Sequence, residues 1–181
     1  MDIAGWKQHI EAKRREKDGF FKTPFQSPLS FDECQKFKGL NYYSPDRDYL
    51  FELDLREHGE KETVKIEDTK GNERKFLKWG EFNFRIGDTD CKLQIYKSSP
   101  EEEGFFVPFR DVTSGKETYG AGRYLDLETG RHQTPGGKWI IDFNDAYNPW
   151  CAYSRDYACP FTPPENWLKV PVYAGEKDYK K

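Results

Sequence analysis

The stretch from Phe105 to Lys177 constrains the fold of this chain most. It opens FFVPFRDVTSGKETYGAGRYLDL and closes WIIDFNDAYNPWCAYSRDYACPFTPPENWLKVPVYAGEK, with polar residues set singly among aromatics, glycines and prolines. Arg110, Asp111, Thr113, Tyr119, Arg123, Asp126, Asn144, Tyr147, Asn148, Cys151, Tyr153, Cys159, Glu165 and Asn166 do not read as solvated filler in such a setting. Buried polar groups need partners. The stretch is therefore expected to form one connected polar network, either a structural knot or the lining of a site.

A mean hydropathy of −0.99 would suit a disordered chain, but 17% aromatic residues would not. An aromatic core under a charged surface reconciles the two. The length of 181 residues favours a single domain, residues 1–181. It divides into a helical segment at 1–40, a β-rich body at 41–176 and a frayed tail at 177–181. The net charge of −3 comes from 29 basic and 32 acidic residues interspersed along the chain, which gives no reason to expect a nucleic-acid partner. The one compact basic run, Lys13, Arg14, Arg15 and Lys17, reads as a solvated helix face. No secretory apolar region and no membrane-spanning run is visible, so no membrane partner is expected and the cytoplasm is the expected compartment. Four cysteines would then be mostly reduced.

Hydrophobic periodicity divides the rest. Residues 2–18 repeat at helical spacing through Trp6, Ile10 and the stems of Lys13 and Lys17, with Asp2 as cap and Gly19 as stop. Residues 27–39 form a second short helical unit, with Ser30 and Glu33 at capping-box spacing and Gly39 as its stop. From Tyr42 the period changes to two. Strands are expected around 49–56, 64–66, 76, 82–86 and 91–95, with turns at HGEK (58–61), TKGN (69–72) and GDTD (87–90). Later strands are expected near 104–109, 121–127, 138–143 and 168–174. Such a series indicates a β-rich α+β fold: an antiparallel meander forming a barrel or strongly curved sheet, with the two N-terminal helices packed on it.

The blocks SPLS (27–30), KGLNYY (38–43), VPFRDVTSGKETYGAGRYLDL (107–127), DFNDAYNPWCAYS (142–154), CPFTPPEN (159–166) and AGEK (174–177), in this order and spacing, resemble a prokaryotic family catalogued as domain of unknown function family 1684. Trp150 and Trp167 depart from its pattern, standing where a smaller and a basic residue are expected. The resemblance implies a single-domain, mostly β protein of bacteria and archaea. It brings no established activity, substrate or cofactor.

Function must then be read from the residues. No phosphate-loop, dinucleotide, zincin or nucleophile-elbow motif occurs, and no cofactor is expected. Asp111 to Gly115 reads as a turn, followed by a strand with Tyr119 and Arg123 on one face. Arg110 and Arg123 are placed to hold a carboxylate or phosphate, or to pair internally with Asp111, Asp126 or Asp142. Asp142 and Asn144 end a strand, and Asn148-Pro149 starts a turn. Cys151 and Cys159 are readable as buried structural thiols, as a disulfide, as part of a metal site lacking further ligands, or as a site with Cys151 as a reactive thiolate tuned by Arg155. CPFTPPEN reads as a rigid connector that Glu165 and Asn166 clamp to the network.

The leading expectation is a pocket for a small anionic ligand. It would be built from Arg110, Asp111, Thr113, Tyr119, Arg123, Asn144, Tyr147, Asn148 and Tyr153, and supported by Asp126, Asp142, Cys159, Glu165 and Asn166. An enzyme using Cys151 as its catalytic nucleophile and a non-enzymatic protein-interaction module are the alternatives.

Overall fold

The computed structural model describes residues 2–179. It is mostly β, with two sheets and few helices. Five strands, β2 (Arg56–Glu67), β3 (Glu73–Ile86), β4 (Thr89–Lys97), β5 (Gly104–Phe109) and β6 (Arg123–Glu128), follow one another as an antiparallel meander in sequence order. A separate ribbon pairs β1 (Leu50–Leu53) with β7 (Trp139–Asp142), in register from Leu50↔Asp142 to Leu53↔Trp139.

The meander is an open sheet, which corrects the expectation of a barrel. Its edge strands β2 and β6 never meet, because the chain leaving β6 turns through 129–138 and pairs with β1 instead. Irregular chain blunts both edges: Tyr147 bridges to Tyr124 in β6, and Pro160 bridges to Asp68 just past β2.

Period-two alternation puts Phe82 and Phe84, Leu93 and Ile95, Phe105, Val107 and Phe109, and Leu125 and Leu127 into one core. The ribbon residues Trp139 and Ile141, together with Phe143, Leu168, Val172 and Ala174, close that core. The helices do not, contrary to expectation. Helix α1 (Ile3–Lys22) meets the ribbon through Trp6, whose indole donates to Asp142 Oδ2 at 2.8 Å. Helix α2 (Phe31–Lys36) belongs to a second cluster of Phe21, Leu29, Cys34, Phe37, Ala152 and Tyr153.

The caps behave as expected at the helix starts. Asp2 accepts from the Gly5 N–H at 2.7 Å, and Ser30 and Glu33 form a reciprocal capping box. The expected stops shift. Helix α1 runs through Gly19 to Lys22, which buries Phe21. Gly39 turns the chain beyond the Phe37 cap, at φ 127°.

Three other expectations change. HGEK is not a turn but a bulge inside β2: the register passes from Glu57↔Gly80 to Glu62↔Lys78, and the Lys61 ammonium is tied to the His58 and Trp79 carbonyls. The strand expected near 121–127 begins at Arg123, leaving Tyr119 in the preceding loop. Residues 168–174 form no strand, for a reason given below. No helix among the described residues is long and apolar enough to cross a membrane.

Candidate functional site

Arg123, the first residue of β6, is completely buried. Its guanidinium donates to Asp111 Oδ2 at 2.7 Å, to the Val172 carbonyl at 3.0 Å and the Glu176 carbonyl at 3.1 Å, and to the Ala174 carbonyl. These donors serve alternate carbonyls of 172–176, the groups that a neighbouring strand would otherwise satisfy. A guanidinium thus replaces a strand partner there. Asp111 also accepts from the Thr113 N–H at 2.6 Å, and the Thr113 and Thr118 hydroxyls bond each other at 2.9 Å. Arg123 therefore pairs internally through its Nη donors, while its Nε is buried without a partner. Arg110 lies elsewhere, 4.5 Å over the Trp167 ring in a groove with Pro164, Leu168 and Lys169. The two arginines do not converge.

The network continues through Glu176, which is 1% exposed. Gly175 at φ 76° lets the chain pass where a Cβ would lie 2.7 Å from the Phe143 and Ala146 carbonyls. Glu176 Oε2 accepts from the Asn148 N–H at 2.6 Å and the Tyr153 hydroxyl at 2.6 Å. Its Oε1 meets the Tyr42 hydroxyl at 3.4 Å and Lys17 Nζ at 2.5 Å. Burial first, and then the Glu176 carboxylate, push the Tyr42 and Tyr153 phenols up, so both stay neutral donors.

Above Glu176 lies a cleft of about 180 Å³, roofed by α1 and lined by Lys13, Arg14, Lys17, Tyr42, Asn144, Asp145, Tyr147 and Glu176. Lys13 pairs with Asp145 at 2.5 Å. The Arg14 guanidinium stacks 4.4 Å from the Tyr42 ring centroid and donates to the Tyr43 carbonyl at 2.8 Å. Its Nε is buried without a partner. Burial lowers the Arg14 pKa, an effect opposed by Tyr42, Asp145 and Asp142 nearby. Three cations face two carboxylates in the lining, an excess of one positive charge.

The remaining expected residues divide among the cleft, its supports and a separate place between β4 and β5. Asn144 holds Asp46 through both backbone groups, at 2.9 and 2.7 Å. Tyr147 donates to Asp126 at 2.5 Å, and the Asn148 side chain donates to the Lys177 carbonyl at 2.9 Å. Asp142 joins the Trp6 indole to the Asn144 amide. Asn166 sits far from the cleft, wedged between β4 and β5, where it bonds both backbone groups of Gln94 and the Pro108 carbonyl. Glu165 beside it accepts from the Tyr96 hydroxyl at 2.7 Å and pairs with Lys78 at 2.9 Å.

The cysteines form a separate constellation. The Cys151 N–H donates to Cys159 Sγ at 3.4 Å, and the Tyr119 hydroxyl reaches Cys151 Sγ at 3.6 Å. The hydrogen bond from the Cys151 thiol, followed by the Cys151 N–H and the Arg74 charge, outweighs burial and brings Cys159 down to about 6. The same bond, with burial, pushes Cys151 up. The two shifts run in opposite directions, toward the thiolate for Cys159 and toward the thiol for Cys151. No group of three or more metal-ligating side chains occurs among the described residues.

Lys13, Arg14 and Lys17, which read as a solvated face, line the cleft instead. The signal was their place in the helical repeat. The Trp6–Ile10 stripe continues into Lys13 and Lys17, whose ammonium groups end beside Asp145 and the buried Glu176.

The family model described as "Protein of unknown function (DUF1684)" matches residues 35–177, and the chain belongs to this family. A solved relative, the solution NMR structure of an uncharacterized protein from Haloarcula marismortui, is 37% identical. It aligns over 97% of this chain and 96% of its own length, with a TM-score of 0.72. No curated protein matches.

Proposed function

We propose that this chain binds a small anionic metabolite, bearing a carboxylate or phosphate, in the cleft beneath α1. The observation that carries the reading is the Arg14 guanidinium. It is held on the Tyr42 ring by its Nη donors, with a buried Nε–H that has no acceptor, inside a cleft carrying one excess positive charge. A buried donor without an acceptor is costly. An anion seated there would remove that cost and gain charge-assisted bonds. Tyr42 and Tyr147 supply the walls, and Lys13 and Lys17 can turn from Asp145 and Glu176 toward the ligand. This keeps the anionic class expected from the sequence but moves the site from Arg110 and Arg123 to α1. The same reading takes the chain to be cytoplasmic, a compartment that returns its free thiols to the reduced state.

The test is a thermal-shift screen of small mono- and dicarboxylates and phosphate esters, followed by calorimetric titration of any that stabilise the chain. At least one class should raise Tm in the way expected of a ligand bound only to the native state. Arg14→Met should weaken it at least about tenfold, the size of a lost charge-assisted bond. Unchanged binding by Arg14→Met, or no shift from any anion at millimolar concentration, would overturn the reading.

A further inference from the structure

We propose that Cys151 and Cys159 form a redox-active dithiol that a hydroperoxide oxidises to an intrachain disulfide, with Cys159 as the attacking thiol and Cys151 as the resolving one. The inference begins from placement. The two residues flank the loop 152–158, which returns on itself so that the Cys151 N–H donates to Cys159 Sγ at 3.4 Å and the two side chains are brought together. The Cys34 and Cys91 Sγ atoms donate instead to the Leu29 and Thr89 carbonyls.

The surroundings of the pair are those of a thiolate site rather than a purely apolar core. The Cys151 backbone N–H points at Cys159 Sγ. The Arg74 side chain, which donates to the neighbouring Ala158 carbonyl at 2.7 Å, adds positive charge. Such donors and charge favour the thiolate, the reactive form. Thr69 fixes the backbone of Cys159: its hydroxyl accepts the Cys159 N–H at 3.2 Å, and its own N–H donates to the Cys159 carbonyl at 3.0 Å. Tyr119 caps Cys151. Cys159 is buried, whereas Cys151 is half-buried and opens the pair to solvent.

The chemistry balances in two steps. The Cys159 thiolate attacks the hydroperoxide oxygen; an S–O bond forms, the O–O bond breaks, and the departing alkoxide takes a proton to leave as alcohol. Cys151 sulfur then attacks the sulfenyl sulfur. The S–S bond forms, the S–O bond breaks, and hydroxide leaves as water with the Cys151 proton. Two electrons pass from the thiols to the peroxide, and an external thiol restores the pair by exchange.

The experiment treats the whole reduced chain with equimolar hydrogen peroxide, quenches with N-ethylmaleimide and maps the peptides by mass spectrometry. A Cys151–Cys159 crosslink should form, reverse with dithiothreitol, and precede any oxidation of Cys34 or Cys91 by about tenfold in rate. In Cys151→Ser, Cys159 should accumulate as a dimedone-trappable sulfenic acid. In Cys159→Ser, Cys151 should remain unmodified. Absence of the crosslink in the wild-type chain, oxidation of all four cysteines at similar rates, or sulfenic acid on Cys151 would each overturn the proposal. The wild-type mapping decides even if a variant fails to fold.

Discussion

Replacing Arg123 by methionine would leave Asp111 as a buried carboxylate without its partner and three carbonyls of the 172–176 segment without a donor. Breaking a buried pair from one side costs about 3–5 kcal/mol, so Arg123→Met should lower the urea midpoint by that equivalent with little change in slope. Arg123→Lys should not rescue it, since one ammonium cannot span the same acceptors as a planar fork. A variant within about 1 kcal/mol of the parent would show that the 172–176 segment is held by its apolar side chains alone. At this scale the sequence reveals which residues need partners but not which partners they take. Asp111, Asp126 and Asp142 were equal candidates for an arginine; only Asp111 takes Arg123, while Tyr147 and Trp6 take the other two. Glu176 is not legible as a network centre because its burial depends on the left-handed turn at Gly175, a feature of three-dimensional packing rather than of spacing.

At the scale of elements, the hairpins were legible because each is a local event of alternation, turn and alternation. The ribbon was not, since nothing in Leu50–Leu53 marks Trp139–Asp142 as its partner. The connector 159–166 acts as an element in its own right. Asn166 supplies bonds to β4 and β5, whose direct register is confined to Tyr96↔Phe106, and Glu165 ties the connector to Tyr96 and Lys78. Burial raises the Glu165 pKa, but the bonds from Tyr96 and Lys78 and the charges of Lys78 and Lys92 outweigh it, so the folded value lies below the ordinary one. A carboxylate depressed on folding stabilises the native state above its unfolded pKa of about 4.3, and that contribution is lost as pH falls through the folded value. Glu165→Gln should therefore be less stable at pH 7 by about 1 kcal/mol, a figure reduced for partial exposure. The difference should close on acidification below pH 4. Parallel melting curves from pH 7 to pH 3 check this; a gap that stays constant with pH would locate the effect in packing instead.

For the molecule as a whole, the decisive feature is that it has two apolar clusters and that α1 spans both. Trp6 binds the ribbon side through Asp142, while Phe21 is enclosed by Phe37 and Tyr153, with ring centroids at 5.7 and 4.8 Å. Tyr179 stacks on Phe37 and meets Tyr153 edge-on, so of the segment expected to fray, residues 177–179 are described and Tyr179 is packed, while 180 and 181 lie outside the described residues. The basic cleft sits on this helix between the clusters. Truncating a buried phenylalanine costs about 3–5 kcal/mol, and Phe21→Ala removes it from the smaller cluster. Hydrogen exchange on Phe21→Ala should show faster exchange in α2, in the 150–157 loop and in the second half of α1. Amides of the β3–β4 hairpin, in the larger core, should keep their protection. The same variant should weaken any anion bound beneath α1, because Lys17 and Arg14 would lose their fixed distance from Glu176 and Tyr42. If hairpin and helix amides instead lost protection together, the two clusters would unfold as one cooperative unit. The cleft would then be a rigid groove, whose ligand affinity answers to Arg14 but not to the packing of Phe21.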